Sequence, residues 1–200
     1  MLSKIKPLLN KYFQGVFKLL ASLGITPNML TFTSLAVSLL LLSLVFVKRE
    51  NTPPLLVIAL IFIVNLLDFL DGGLARYVGQ SSSVGAFLDS TFDRVADAIV
   101  LVSLAYCGFI SFEEAYISLV GFYLVSYSRA RAEGLKRDIK LAGVGLMERA
   151  ERILVLLLSY ILYVINLKFI SKAVFYTLIV LVYMTALERI LVIVKRLRKT

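Results

Sequence analysis

Residues 65–97 read NLLDFLDGGLARYVGQSSSVGAFLDSTFDRVAD, and they hold five of the chain's six aspartates at the ends of apolar runs. Asp68 and Asp71 are three apart, and Asp89 and Asp93 four apart. On a helix both spacings put side chains on one face. Carboxylates beside so much apolar surface are costly unless they are paired or bind a cation. The stretch therefore reads as two helices joined by a short polar loop, aiming four acids at a common space. Four unpaired anions would repel, and one or two divalent cations relieve that conflict. The plainer alternative is pairing with Arg76 and Arg94, or capping of helix ends.

The surroundings of this stretch indicate a membrane. The chain of 200 residues is 60% hydrophobic, lacks Trp, and has a mean hydropathy of +0.89. Its apolar content falls into long runs, as in a polytopic membrane protein. Six spans are expected, at Asn28–Val47, Pro54–Tyr77, Val84–Gly108, Phe112–Lys136, Met147–Leu167 and Ile170–Lys195. With no internal repeat or long linker, residues 1–200 read as one all-α membrane domain, with the six-helix bundle at 28–195.

Residues 1–22 are too charged for a cleaved signal peptide. Leu2, Ile5, Leu9, Tyr12, Phe13, Val16 and Leu20 recur at helical spacing, with Lys4, Lys11 and Lys18 on another face. That pattern predicts a basic amphipathic helix lying on the membrane surface; a helix packed on the bundle is the alternative. With six spans, Lys48, Arg49, Lys168 and Lys172 fall on one side and the other basic residues on or near the opposite side. The excess marks the cytoplasmic face, so a cell-membrane protein with both termini and the aspartate site cytoplasmic is expected. The net charge of +9 suits anionic headgroups or phosphorylated substrates and calls for no nucleic acid.

The chain has no His, and its single Cys107 sits in an apolar run. Imidazole or thiolate metal sites, His-based triads and disulfides are excluded. A metal here takes oxygen ligands, which selects Mg²⁺, Mn²⁺ or Ca²⁺. A general base must be Asp, Glu, Lys or Tyr. Gly72 and Gly73 after Asp71, and Gly85 four before Asp89, allow close approach of a ligand or of another helix. Ser81–Ser83 with Gly79 form a polar loop that suits phosphate or ribose, or simply a turn.

The pattern Asp68-x2-Asp71-Gly72-x2-Ala75-Arg76-x8-Gly85-x3-Asp89-x3-Asp93 resembles, at every position, the signature of the CDP-alcohol phosphotransferases. The likeness extends to the six spans, the basic N-terminal helix and the TPNMLT opening of the first span. It implies transfer of the phosphate-bearing portion of a CDP-linked lipid, CDP-diacylglycerol or CDP-archaeol, to an acceptor hydroxyl with release of CMP. It further implies that Asp68, Asp71, Asp89 and Asp93 bind Mg²⁺ or Mn²⁺, as two ions, with Asp93 also the general base. Gly72, Ala75, Arg76 and Gly85 would shape the CDP site, with Asn28, Thr31 and Ser81 beside it. A homodimer embedded in membrane lipid is the implied assembly.

A second basic cluster bears on the acceptor. Arg129 and Arg131 close the fourth span, Arg149 and Arg152 open the fifth, and Arg189 lies near the end of the sixth. They serve either as positive-inside residues contacting lipid phosphates or as forks for a phosphorylated acceptor. The segments RARAEG and GVGLMERAER resemble the branch that uses inositol phosphate, although Arg129 stands where that branch has Lys and Ala150 where it has Pro. Glu133, Glu148 and Glu151 would orient these arginines or meet inositol hydroxyls. Glycerol phosphate, serine or a second inositol-containing substrate is the alternative acceptor. A divalent-cation or proton-coupled transporter is the alternative from another class, though no two matching halves are visible in the sequence.

Overall fold

The computed structural model describes residues 10–80, 82–135 and 144–198. Within them seven α-helices have both ends described: α1 (Gln14–Ser22), α2 (Pro27–Lys48), α3 (Pro54–Tyr77), α4 (Ser83–Tyr106), α5 (Phe112–Leu135), α6 (Arg149–Val164) and α7 (Lys168–Leu197). A 3-10 turn at Arg49–Asn51 joins α2 to α3, and the described residues contain no strand. They fall into two compact units, one running through Phe112 and one from Glu113.

In the first unit α2 is the central helix and packs on both α3 and α4. Its start follows from local sequence: the Thr26 side chain accepts a hydrogen bond from the Met29 N–H at 3.3 Å, and Pro27 takes the first helical position, where its missing N–H costs nothing. Ser82 caps α4 in the same way, accepting from the Gly85 N–H at 3.0 Å. Small hydroxyls let the helices approach closely. Ser38 is fully buried on α2, and Ser34 donates to the Val64 carbonyl of α3 at 3.1 Å.

In the second unit α6 packs along α7. Ser159 and Ser171, both fully buried, each donate to the other's backbone carbonyl at 2.8 Å. Gly121 brings α5 against α7, since a Cβ there would stand 2.9 Å from Val182 Cγ1. The Lys172 ammonium donates to both oxygens of Glu114 at 3.0 and 2.8 Å. The six-span reading puts these two residues on the same membrane face.

Three stretches are long and apolar enough to cross a bilayer: α2 with its 3-10 turn, α3 and α7. At 1.5 Å per residue, the 24 residues of α3 reach roughly 36 Å, more than a hydrocarbon core. Their outward residues, such as Phe46, Leu55, Phe62, Met184 and Leu191, are exposed and are what a lipid solvent covers. The other helices of the expected six differ for visible reasons. Helices α4 and α5 have the length but carry charges, and the described α6 has only 16 residues.

The N-terminal helix departs from a purely surface-lying one. Leu2, Lys4, Ile5 and Leu9 lie outside the described residues. In α1, Phe17 is only 2% exposed and packs with Leu30, Leu70 and Leu74, alongside Phe13 and Leu20. Tyr12, Val16, Leu19 and Leu23 form a second apolar stripe and stay exposed, as do Lys11 and Lys18. One helix thus carries two apolar faces, and the inner one is docked on α3.

Candidate metal and substrate site

The signature aspartates meet in the first unit. Asp68 and Asp71 from α3 and Asp89 from α4 each offer a carboxylate oxygen, and these oxygens lie within 4.8 Å of one another. Asp71 is only 4% exposed, whereas Asp68 and Asp89 are half-buried. From α2, the Thr31 hydroxyl donates to Asp71 Oδ2 at 2.7 Å. A carboxylate brought this far from water needs such a donor. Three helices therefore build one acidic pocket.

The donor set fits a hard divalent cation. Three carboxylates at this separation repel unless a positive charge lies among them, and the all-oxygen composition matches Mg²⁺ or Mn²⁺. Asp93 stands outside that set of three. It lies one turn beyond Asp89 on α4 and forms an ion pair with Arg94 at 3.3 Å. Part of the pairing alternative raised by the sequence thus occurs, at Asp93 with Arg94. Asp97, a further turn on, is 1% exposed; the sequence reading assigned it no role.

The residues expected beside the CDP group are partly brought together. A Cβ on Gly85 would stand 3.1 Å from Asn28 Oδ1 and 3.1 Å from Ser82 Oγ, so the bare glycine lets the starts of α2 and α4 meet. Asn28 precedes Thr31 by three residues and shares its helix face. Arg76 is exposed and lies over Gly72, its Nη1 3.5 Å from where a Cβ would be, while Ala75 is half-buried. Ser81 lies outside the described residues.

The five arginines belong to the second unit and divide by burial. Arg129 is exposed and its Nε donates to Glu133 at 2.9 Å; Arg131 is exposed; Arg149 is half-buried at the start of α6. Arg152 is 1% exposed, donates from Nη1 to the Phe122 carbonyl at 3.0 Å, and stacks 4.6 Å over the Phe122 ring. Arg189 is 3% exposed and donates to the Val144 carbonyl at 2.9 Å and the Val125 carbonyl at 2.8 Å, with Glu148 at 3.7 Å. Glu133 thus pairs with Arg129, and Glu148 with Arg189. Thr185, which sequence reasoning missed, accepts from the Met147 N–H at 3.2 Å. Gly145 (φ +84°) would press a Cβ into that threonine. The GVG run was the available signal for this tight approach.

An all-helical membrane protein with a buried carboxylate cluster built for a divalent cation is the class that fold and site define. Residues 24–194 match the model of the CDP-alcohol phosphatidyltransferase family. The chain belongs to that family and is a transferase. It is 36% identical over 197 residues to an archaetidylinositol phosphate synthase of Pyrococcus horikoshii, covering 98% of each chain. Its fold is similar to the crystal structure of Mycobacterium tuberculosis phosphatidylinositol phosphate synthase with CDP-DAG bound, with a TM-score of 0.64, 25% identity, and coverage of 92% of this chain and 90% of that one. The same enzyme in complex with manganese and citrate gives a TM-score of 0.63 at 26% identity, covering 92% and 86% of the two chains.

Proposed function

We propose that this protein transfers the lipid-phosphate portion of a CDP-linked lipid to inositol phosphate and releases CMP. The observation that carries the reading is the convergence of Asp68, Asp71 and Asp89, at the family's signature spacing, from two helices into one pocket. The acceptor is supported by the likeness to inositol-phosphate-using enzymes over nearly the whole chain.

Asp68, Asp71 and Asp89 would hold the cation, Mg²⁺ or Mn²⁺ and two ions in the full site, and Thr31 orients Asp71. When bound, the cation neutralises the pyrophosphate charge and stabilises the leaving group. Asp93 takes the proton of the attacking inositol hydroxyl. That oxygen bonds to the lipid-linked phosphorus as the bond from phosphorus to the CMP oxygen breaks. Asn28, Thr31, Gly72, Ala75, Arg76 and Gly85 line the nucleotide site, and the likeness to the family adds Ser81. Arg129, Arg131 and Arg149 contact the acceptor phosphate. Arg152 and Arg189, already hydrogen-bonded to backbone carbonyls, hold the frame that carries those contacts.

The same reading makes residues 1–200 one catalytic domain, with six helices across a cell membrane and both termini and the site cytoplasmic. The match over 24–194, spanning both compact units, supports the single domain. The described part of residues 1–22 serves as the interfacial segment, with Tyr12, Val16, Leu19 and Leu23 as its lipid-facing stripe and Lys11 and Lys18 toward headgroups. The working assembly is a homodimer.

The deciding experiment is CMP release by purified protein from CDP-archaeol and CDP-diacylglycerol, screened against inositol phosphate, free inositol, serine and glycerol phosphate. Release dependent on inositol phosphate is expected; release with another acceptor alone reassigns the reaction. Within that assay, Arg129→Ala or Arg131→Ala loses a charge-assisted contact of about 1.5–3 kcal/mol, which raises the inositol phosphate KM by one to two orders of magnitude. The CDP-lipid KM moves much less. Equal shifts in both KM values would return these residues to general lipid contact.

A further inference from the structure

The second glycine of the Asp71-Gly72-Gly73 run has no place in the family signature, yet the fold packs against it as tightly as against any described glycine. A Cβ on Gly73 would fall inside contact distance of Phe17 Cζ, 2.6 Å from Cε1 and 3.2 Å from Cε2. The end of the Phe17 ring therefore occupies the space that any other residue at position 73 would fill. The ring is held on all sides: Phe17 is 2% exposed, clusters with Leu30 of α2 and Leu70 and Leu74 of α3, and lies 6.2 Å from the Tyr77 ring. One turn earlier, just before α1, Phe13 meets Phe69 edge-on at 5.2 Å.

Helix geometry says what this contact does. Phe69, Leu70, Gly73 and Tyr77 share one face of α3, and at about 100° per residue Asp68 and Asp71 lie more than about 120° around the helix from its centre. Helix α1 thus backs the metal-bearing turn from behind. Leu30, in the same cluster, directly precedes Thr31, the residue that donates to Asp71. One wedge therefore touches both helices whose side chains set the position of Asp71.

We infer that Phe17 is a positioning residue: its ring, seated against Gly73, sets the rotation of α3 and so couples the amphipathic helix to the geometry of the Asp68–Asp71 pair. This rests on the metal site proposed above. The Phe17–Gly73 contact is rigid because the ring is buried and the glycine backbone offers no side chain to adjust.

A compensating pair tests it. Leucine lacks the Cε and Cζ atoms that meet position 73, so Phe17→Leu opens the space that Gly73→Ala fills. The full-length protein in nanodiscs is titrated with Mn²⁺ alone, free Mn²⁺ being read by electron paramagnetic resonance, with KM and kcat measured in parallel. Residues supporting a metal ligand change its affinity by about 10–100-fold when altered. Gly73→Ala is expected to weaken Mn²⁺ binding at least about tenfold, Phe17→Leu about three- to tenfold, and the double variant to return within about threefold of wild type. The number of Mn²⁺ sites per protein stays at the wild-type value throughout, which a general loss of folding would lower. Phe17→Leu adds no clash and stands as the test if Gly73→Ala does not fold. Wild-type Mn²⁺ affinity in Phe17→Leu, or a double variant no better than Gly73→Ala, overturns the inference. Failure of the wild-type protein to bind Mn²⁺ overturns instead the metal site on which it rests.

Discussion

Excess EDTA abolishes CMP release, and Mg²⁺ or Mn²⁺ restores it. The expectation follows from the carboxylates themselves. Asp68, Asp71 and Asp89 place their oxygens within 4.8 Å of one another, one of them almost wholly shielded from water. A cation is what makes such a cluster tolerable, and it is also what a pyrophosphate needs to become a leaving group. Its loss forfeits several kcal/mol of transition-state stabilisation, about three orders of magnitude or more in rate. Asp71→Asn is expected to match chelation in activity while raising the melting temperature of the metal-free protein, because it removes repulsion from a strained functional site. Turnover that persists in EDTA would take the cation out of the reaction. A metal-free Asp71→Asn protein less stable than wild type would show that the cluster is not under electrostatic strain.

Asp93→Asn lowers kcat by at least about two orders of magnitude, the usual scale for losing a general base. It differs from Asp71→Asn in what it spares. Asp93 lies outside the three-carboxylate set, one turn along α4, with Arg94 at 3.3 Å. Mn²⁺ affinity is therefore expected to stay within about threefold of wild type, well short of the tenfold or greater loss typical of disturbing a metal's supporting residues. A Mn²⁺ affinity as poor as that of Asp71→Asn would make Asp93 a metal ligand, and near-normal kcat would assign the base elsewhere.

Much of this was legible in the chain because it depends on local spacing. The runs that became α2, α3 and α7 are long enough and apolar enough to read directly, and Thr26-Pro27 marks the start of α2 by capping chemistry alone. Intervals of three and four residues say which aspartates share a helix face, and the absence of His dictates oxygen ligands. The span count was harder to read for a physical reason. Helices α4 and α5 carry the charges of the proposed chemistry, so composition argues against a crossing where function requires polar groups.

Convergence was not legible, because it depends on how helices rotate and pack against partners distant in sequence. The spacing of Asp93 from Asp89 is as regular as that of Asp71 from Asp68, yet packing gathers Asp68, Asp71 and Asp89 into one set without Asp93. Five arginines look alike as letters, but Arg152 and Arg189 are buried against backbone carbonyls while Arg129 and Arg131 face outward. The apolar residues of α1 read as a single membrane-facing pattern, and only tertiary contact with Gly73 separates Phe17 from Tyr12 and Val16. The sequence by itself determined the long apolar helices, the oxygen-only donor set of the aspartate cluster and the family. Tertiary structure alone decided which side chains meet, since that depends on inter-helix contacts between residues distant in sequence, such as Thr31 with Asp71, 40 residues apart.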